Sequence, residues 1–367
     1  MVRTLLAAAL FSVISFDTVQ AAADDWPAFR LDPAHRAWDG QGEIASAPRL
    51  LWKFDTGDIV ESSPAVVDGI VYTGSFAQAL FAVDAATGEE IWRFPVGGLL
   101  RASPAVVDGT VYFGADDNKF YAVDAATGAA KWSFDLGPGG EQSSPAVVDG
   151  VVYFGGFDQF FYALNAETGT VRWKFRTGGG VLASPAVVDG LVYISSIGGI
   201  LYAIDTVTGA RIWQMRARGR IFSSPAVADG TVVVGSDDGN IYARDALTGD
   251  KRWTFPTGRE VFSSPAIADG TVYVGAHTGF VYALDGASGT ERWKTQINGP
   301  VFSSPAVTGA HVYIGSSDGH LYALRRGDGG IAWRFEAGDR VWASPSVVGG
   351  RIYFGSHTGF VYALTAQ

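Results

Sequence analysis

Histidine, cysteine and serine are side chains that commonly carry chemistry in proteins, and this chain of 367 residues has 5 histidines and no cysteine. The absence of cysteine excludes disulfides and thiolate metal sites. His277 and His357 occupy equivalent places in two similar segments, with Ser317 at the same place in the segment between them. Zinc ligands must lie within about 2.0–2.2 Å of the ion. We therefore interpret both histidines as surface residues in turns and expect no metal site.

Carboxylates offer a second chemistry, because calcium takes several carboxylate oxygens at once. The acidic residues of the variable turns show no ligand spacing: Asp58, Glu61, Asp116, Asp117, Asp158, Asp237 and Asp238. Serine before proline recurs eight times, at Ser63, Ser103, Ser144, Ser184, Ser224, Ser264, Ser304 and Ser344. A serine that every copy shares is interpreted as structural. Since no nucleophile stands beside a base, we expect no catalytic residue.

An internal repeat of about 40 residues positions these side chains. Each copy has a run opened by Ser-Pro, a turn that is usually Asp-Gly, two more β-rich runs and a fourth run with a tryptophan. Asp-Gly between apolar runs is a strong hairpin signal. Four short strands per copy form one antiparallel blade. The sequence therefore predicts an all-β fold, an eight-bladed β-propeller of four-stranded antiparallel blades.

The two ends of the chain predict how the ring closes. The last copy stops after its third strand, and the segment around Trp52 lacks the three strands that should precede it. We expect this N-terminal strand to complete the last blade, which removes exposed sheet edges. The propeller then covers residues 50–367. Residues 24–49 form an N-terminal extension, in which the segment from Asp25 to Arg30 is expected to lie along the outside.

Residues 1–23 have the features of a secretory signal peptide. Arg3 precedes an apolar run from Leu5 to Phe16, and small residues follow at 21–23. The run is shorter than the ~20 residues of a membrane span. We expect a cleaved signal peptide and a soluble protein, periplasmic or secreted. Without cysteine it would not be a lipoprotein.

Comparison of the eight copies separates the scaffold from positions free for function. The turns before the first strand and after the second strand vary, and variable turns on a rigid scaffold commonly carry function. Two residues before each Ser-Pro serine lies a ring that borders the central funnel: Glu61, Arg101, Gln142, Leu182, Phe222, Phe262, Phe302 and Trp342. A second ring follows each second strand: Phe76, Asp116, Phe157, Ile197, Asp237, His277, Ser317 and His357. The first ring predicts a ligand or partner site, with packing in the channel as the alternative.

Blade five departs most from the pattern, with Val233 in place of tyrosine and Arg244 in place of an aliphatic residue. The turn before it carries alternate arginines, which project to one side of an extended segment. With two arginines of nearby blades they form a predicted basic patch: Arg216, Arg218, Arg220, Arg259 and Arg340. This patch would bind a carboxylate-bearing partner or an anionic ligand; scattered solvated arginines are the alternative. A net charge of −10 disfavours nucleic acid as a partner.

The stretch from Ala82 to Trp92, with the pattern Ala-x-Asp-x-x-Thr-Gly-x-x-x-Trp, resembles the tryptophan-docking motif of the PQQ-like propeller family. That family includes quinoprotein alcohol dehydrogenases and BamB-type assembly factors. The resemblance implies that eight tryptophans pack between blades: Trp52, Trp92, Trp132, Trp173, Trp213, Trp253, Trp293 and Trp333.

The same resemblance implies two possible functions. The dehydrogenases hold pyrroloquinoline quinone (PQQ) and calcium, use an aspartate base and carry a disulfide of adjacent cysteines. This chain lacks cysteine and has near-minimal repeats. We therefore expect no cofactor and a non-catalytic, BamB-like scaffold that binds a protein or peptide partner in the cell envelope as a monomer. A PQQ-binding protein or a minimal quinoprotein dehydrogenase with calcium is the alternative.

Overall fold

The computed structural model describes residues 25–32, 34–35, 43–44, 46–139 and 143–367. Within these ranges the chain forms eight four-stranded antiparallel sheets, arranged as the blades of a propeller. This confirms the predicted fold class. The predicted signal peptide lies outside the described residues, as do Trp38 and Gln142.

The strands are numbered in chain order, and seven blades are continuous in sequence. Blade 1 has β2 (Ala65–Val67), β3 (Ile70–Ser75), β4 (Ala79–Asp84) and β5 (Glu90–Pro95); blade 2 has β6 (Ala105–Val107), β7 (Thr110–Ala115), β8 (Lys119–Asp124) and β9 (Ala130–Asp135). Blade 3 has β10 (Ala146–Val148), β11 (Val151–Gly155), β12 (Phe160–Asn165) and β13 (Val171–Arg176); blade 4 has β14 (Ala186–Val188), β15 (Leu191–Ser196), β16 (Ile200–Asp205) and β17 (Arg211–Arg216). Blade 5 has β18 (Ala226–Ala228), β19 (Thr231–Gly235), β20 (Asn240–Asp245) and β21 (Lys251–Pro256). Blade 6 has β22 (Ala266–Ala268), β23 (Thr271–Gly275), β24 (Phe280–Asp285) and β25 (Glu291–Gln296); blade 7 has β26 (Ala306–Val307), β27 (His311–Gly315), β28 (His320–Arg325) and β29 (Ile331–Glu336).

Blade 8 joins the two ends of the chain. It contains β30 (Ser346–Val348), β31 (Arg351–Gly355), β32 (Phe360–Thr365) and the N-terminal strand β1 (Arg49–Asp55). β1 pairs antiparallel with β32, with Trp52 opposite Ala363 and Asp55 opposite Phe360. The predicted closure by the N-terminal strand is confirmed.

The Asp-Gly turns have the backbone that their sequence predicts. At the turn between β18 and β19, Asp229 has φ 49° and Gly230 has φ 65°. Positive φ at both central residues matches the twist of the flanking strands. The turn chemistry therefore determines the first hairpin of the blade locally.

The tryptophans pack between blades as the resemblance implied. Trp213 of blade 4 donates its indole N–H to the Ala246 carbonyl of blade 5, at 2.8 Å. A side chain at Gly249, which has φ 77°, would place its Cβ 2.7 Å from the Trp213 ring. Six of the other seven indoles donate to a carbonyl 33 or 34 residues farther along the chain, and Trp333 donates to the carbonyl of Ile44. The six acceptors, in chain order, are Ala85, Ala125, Ala166, Thr206, Gly286 and Arg326.

The Ser-Pro serines link the blades around the channel. The Ser264 N–H donates to Ser304 Oγ at 3.0 Å, and the Ser304 N–H donates to Ser344 Oγ at 2.9 Å. The Ser344 N–H returns to Ser63 Oγ of blade 1, at 2.8 Å. These serines are buried, and buried polar groups need such partners. These hydrogen bonds support the interpretation of the Ser-Pro serines as structural residues.

The N-terminal segment enters the channel, so the expectation that it lies outside is wrong. The backbone of Trp26 pairs with Val66 of β2, and the Pro27 carbonyl accepts from Val106 of β6. Farther along, Arg30 donates to the Pro265 carbonyl and His35 Nδ1 lies 3.1 Å from the Pro225 carbonyl. Blades 1 and 2 and blades 5 and 6 lie on opposite sides of the ring. The segment 25–35 therefore crosses the channel.

Burial explains why this segment enters the channel. Trp26, Arg30 and His35 are each 2% exposed. Burial lowers the pKa of Arg30 to about 9 and, with the nearby Arg30 charge, lowers the pKa of His35 to about 3. An indole at the start of the segment gains more from the apolar channel wall than from the solvated outer surface.

Candidate functional site

We name the end of the ring that carries the turns before the first strands and after the second strands the loop face. Four residues of the predicted funnel ring meet there in a continuous row, the aromatic arc: Phe222, Phe262, Phe302 and Trp342. Ring centroids are separated by 5.2 Å, 5.3 Å and 4.2 Å along this row. These are stacking distances. All four side chains are partly exposed.

The second ring packs against members of the first. The His277 imidazole lies beside the stacked pair of Phe262 and Phe302 and contacts both rings, at 4.7 Å and 4.4 Å. His357 lies 4.5 Å from Trp342. Their side chains are only 17% and 9% exposed, so the interpretation as surface histidines is wrong. The turns that carry them bend inward over the arc.

The other three histidines also have partners. His311 is buried, and its Nδ1 lies 3.0 Å from Glu43 Oε1. His320 Nδ1 lies 3.4 Å from Asp318 Oδ1, and His35 contacts the channel wall as described above. Repeat alignment did not predict the contacts of His311 and His35, because Glu43 and His35 belong to the extension, which has no second copy.

The polar end of the funnel ring forms an ion-paired group. Arg101 Nη1 lies 3.3 Å from Glu61 Oε2, and Arg101 Nε lies 3.3 Å from Asp116 Oδ2. The guanidinium also lies 4.5 Å from the centre of the Phe76 ring. Burial raises the pKa of Asp116, an effect that Arg101 opposes. His357 Nε2 lies 3.3 Å from Glu61 Oε1, which joins the polar end to the arc.

The structure thus brings six members of the predicted funnel ring into one connected row. Leu182 is partly buried. Gln142 lies outside the described residues. The sequence comparison found the first ring but did not show that the second ring connects its members.

The five arginines of the predicted basic patch spread along the rim instead of forming one cluster. Arg220 pairs with Asp237 at 2.9 Å, and Arg259 pairs with Glu260 at 3.4 Å. Arg220 and Arg340 lie over the rings of Phe222 and Trp342, at 5.2 Å and 5.5 Å. Arg216 and Arg218 are exposed, with buried Ala217 between them, as the predicted alternation requires. The charge therefore flanks the arc.

Blade five keeps its fold despite its unusual residues. Val233 is fully buried, and Arg244 lies 5.8 Å from the centre of the Tyr242 ring. Burial lowers the pKa of Arg244. Both residues lie in strands of the blade, so of the unusual residues of blade five only the arginines of its leading turn lie on the loop face.

The segment 25–35 forms a floor below the arc. Arg30 donates to the carbonyl of Pro265, which is three residues from Phe262. An extended chain spans about 3.3–3.6 Å per residue, so this contact lies within about 10 Å of the Phe262 backbone. The funnel is therefore a cup that opens on the loop face.

The fold and its docking geometry define the class of the protein, an eight-bladed propeller of PQQ-like repeats. A family model described as outer membrane protein assembly factor BamB matches residues 44–174, 157–262 and 249–367. The chain belongs to this BamB-like propeller family. Among curated proteins, no sequence match was found.

Solved structures share the fold at low sequence identity. BamB from Moraxella catarrhalis has a TM-score of 0.76 at 20% identity, over 87% of this chain and 100% of that chain. The computationally designed Ika8 protein has a TM-score of 0.79 at 18% identity, over 86% of this chain and 99% of that chain. Quinohemoprotein alcohol dehydrogenase from Comamonas testosteroni has a TM-score of 0.81 at 18% identity, over 94% of this chain and 81% of that chain. These likenesses establish the fold, and one fold hosts many functions.

Two further observations concern membranes and metals. In the part of the chain that the structure describes, we find no helix with the length and apolar character of a transmembrane span. Across the same residues, no three His, Asp or Glu side chains converge in a way that would hold a metal ion.

Proposed function

We propose that this chain is an exported, non-catalytic propeller that binds a segment of a protein partner on its loop face. The observation that carries the proposal is the aromatic arc. Four partly exposed rings in contact, above the segment that crosses the channel, form an apolar cup. Aromatic anchors in such central pockets dominate many protein interfaces.

Charge around the cup supports a protein segment as the occupant. Arg218 and Arg340 are exposed beside the arc, and Arg220 and Arg259 are more than half exposed despite their carboxylate partners. A partner segment with apolar residues and neighbouring carboxylates would fit both features. Rim charges of this kind steer association and set its salt dependence.

The proposed location is the cell envelope, as a periplasmic or secreted protein. Two observations support it: the N-terminal residues have the pattern of a cleaved signal peptide, and the family model is described as an outer membrane protein assembly factor. A direct role in that assembly would require the partner to be one of its components.

The alternative, PQQ with calcium, fits the funnel poorly. Calcium takes several carboxylate oxygens. The two funnel carboxylates, Glu61 and Asp116, are both paired with Arg101. No cluster of acidic or histidine ligands occurs elsewhere among the described residues. We derive no catalytic step through this cofactor and favour a binding function.

The test begins with a photo-crosslinking residue at position 302 in the native cell envelope. The captured protein is then purified, and its affinity is measured for Phe262→Ser, Trp342→Ser and the matched control Phe157→Ser. Phe157 is 41% exposed on the same face, outside the arc. We expect at least about a tenfold loss of affinity for the first two variants and little change for the control. Equal effects of all three would contradict the proposal.

A further inference from the structure

Both histidines of the loop face contact rings of the aromatic arc. His277 contacts Phe262 and Phe302, and its Nε2 is buried without a hydrogen-bond partner among the described residues. A neutral imidazole tolerates this position. An imidazolium would carry a charged N–H donor with neither water nor an acceptor at that nitrogen, which is unfavourable.

Acidic groups lie on the other side of His277. Its Nδ1 is 3.6 Å from Glu260 Oε2, and Asp237 in the turn of blade 5 also acts on its charge. Glu260 Oε2 and Asp237 Oδ1 are buried and have no hydrogen-bond partner among the described residues. Arg259 and Arg220 pair with these two carboxylates. The carboxylate oxygens are therefore acceptors for a protonated ring that turns away from the arc.

His357 occupies the corresponding place at the other end of the arc. It packs against Trp342, and its Nε2 lies 3.3 Å from Glu61 Oε1. Glu61 is also held by Arg101, and the Arg340 carbonyl accepts from the His357 backbone N–H. His357 therefore joins Trp342 to the ion pair of Glu61 and Arg101.

Burial sets the direction of titration at His277. It lowers the pKa of His277, Arg259 acts in the same direction, and Glu260 and Asp237 oppose them. The neutral form of His277 is thus favoured relative to an exposed histidine. The arrangement with His277 packed against the arc is present above this lowered pKa and is lost as the pH falls through it.

We propose that His277 makes the loop-face site pH-sensitive: a protonated His277 moves toward Glu260 and Asp237 and away from Phe262 and Phe302, which alters the packing of the aromatic arc and releases the partner. This inference rests on the proposed function for its last step. The change in the arc is a property of the free protein and can be measured without a partner.

The experiment uses the five histidines of the free, full-length mature protein. Their Cε1–H signals are followed by NMR from pH 8 to pH 4, together with the indole signal of Trp342. Signals are assigned with His277→Gln, His357→Gln and the matched control His320→Gln, whose histidine lies outside the arc. Thermal melting verifies that each variant folds.

We expect the His277 signal to titrate below pH 6.5 and the Trp342 signal to shift with the same midpoint. His277→Gln should remove that shift, and His320→Gln should leave it. A His277 titration without any response of Trp342 would overturn the switch. Partner affinity should then fall at least tenfold across the midpoint; a responsive arc with pH-independent binding would overturn the release step, and no partner binding at all would overturn the proposed function.

Discussion

The indole N–H of Trp333 donates to the backbone carbonyl of Ile44 at 2.9 Å, across 289 residues of chain. Every other docking tryptophan uses the turn between the third and fourth strands of the next blade. Blade 8 has no such turn, because its third and fourth strands come from opposite ends of the chain. Ile44 also bonds through its N–H to the Tyr313 hydroxyl at 3.0 Å. The extension thus replaces the missing turn.

The bond between Trp333 and Ile44 predicts that a substitution of Trp333 destabilises the protein less when the segment with Ile44 has been removed. Trp333→Phe and Trp293→Phe should each destabilise the full mature chain by about 1–2 kcal/mol, since each loses a buried hydrogen bond and some packing. In a chain that begins at residue 47, Trp333→Phe should lower the free energy of unfolding much less than in the full mature chain. Trp293→Phe should lower it by the same amount in both chains. Denaturant unfolding measures all four values. An unchanged cost of Trp333→Phe in the truncated chain would contradict the role of Ile44.

The Ser N–H to Ser Oγ bonds that link the blades around the channel form a serine ladder, which predicts a stability effect at Ser304. Ser304→Ala removes the acceptor of the Ser264 N–H and leaves that buried donor without its partner. We expect a loss of about 1–3 kcal/mol. Ser288→Ala, in an exposed turn, is the control and should cost less. Denaturant unfolding compares them, and equal costs would argue against the ladder.

The arginines beside the arc predict a salt effect on partner binding. The double variant Arg218→Ala with Arg340→Ala should weaken binding at low salt and have little effect at high salt, because exposed charges are screened beyond about 10 Å at 0.1 M. The measurement is partner affinity against salt concentration. Arg211→Ala is the control, since Arg211 is exposed on β17 and bonds to Gln214. An unchanged salt dependence in the double variant would exclude a role of the two arginines.

The turn aspartates predict part of the acid sensitivity of the fold. The side-chain hydrogen bond from Arg252, with backbone N–H groups of Thr248 and Leu247, lowers the pKa of Asp245 from 3.8 to about 2. Because this pKa is depressed in the folded state, the stabilisation is present above pH 3.8 and is lost as the pH falls towards about 2. The Asp245→Asn variant should therefore have a lower free energy of unfolding than the parent at pH 6. This difference between the two proteins should disappear by pH 2. Asp135→Asn, whose carboxylate is 85% exposed, should show no such difference in denaturant unfolding.

Local chemistry made most of the fold predictable from sequence. The Asp-Gly turns, the Ser-Pro starts and the docking tryptophans each act on residues nearby in the chain or one blade away, and eight copies repeat them. The same comparison identified the ring from Glu61 to Trp342, because deviations from a repeat are visible in one sequence. The extension has no second copy, so its path through the channel could not be predicted in this way.

By itself the sequence determined the blades, their order and the closure by β1, since strand periodicity and turn conformation are local properties. Only the tertiary structure decided that Trp26 and Arg30 enter the channel, that Ile44 accepts the hydrogen bond of Trp333, and that His277 packs against Phe262 and Phe302. These contacts join residues that are distant in sequence or belong to different blades. Their geometry depends on the curvature of the closed ring, which brings variable turns together at distances that no single repeat encodes.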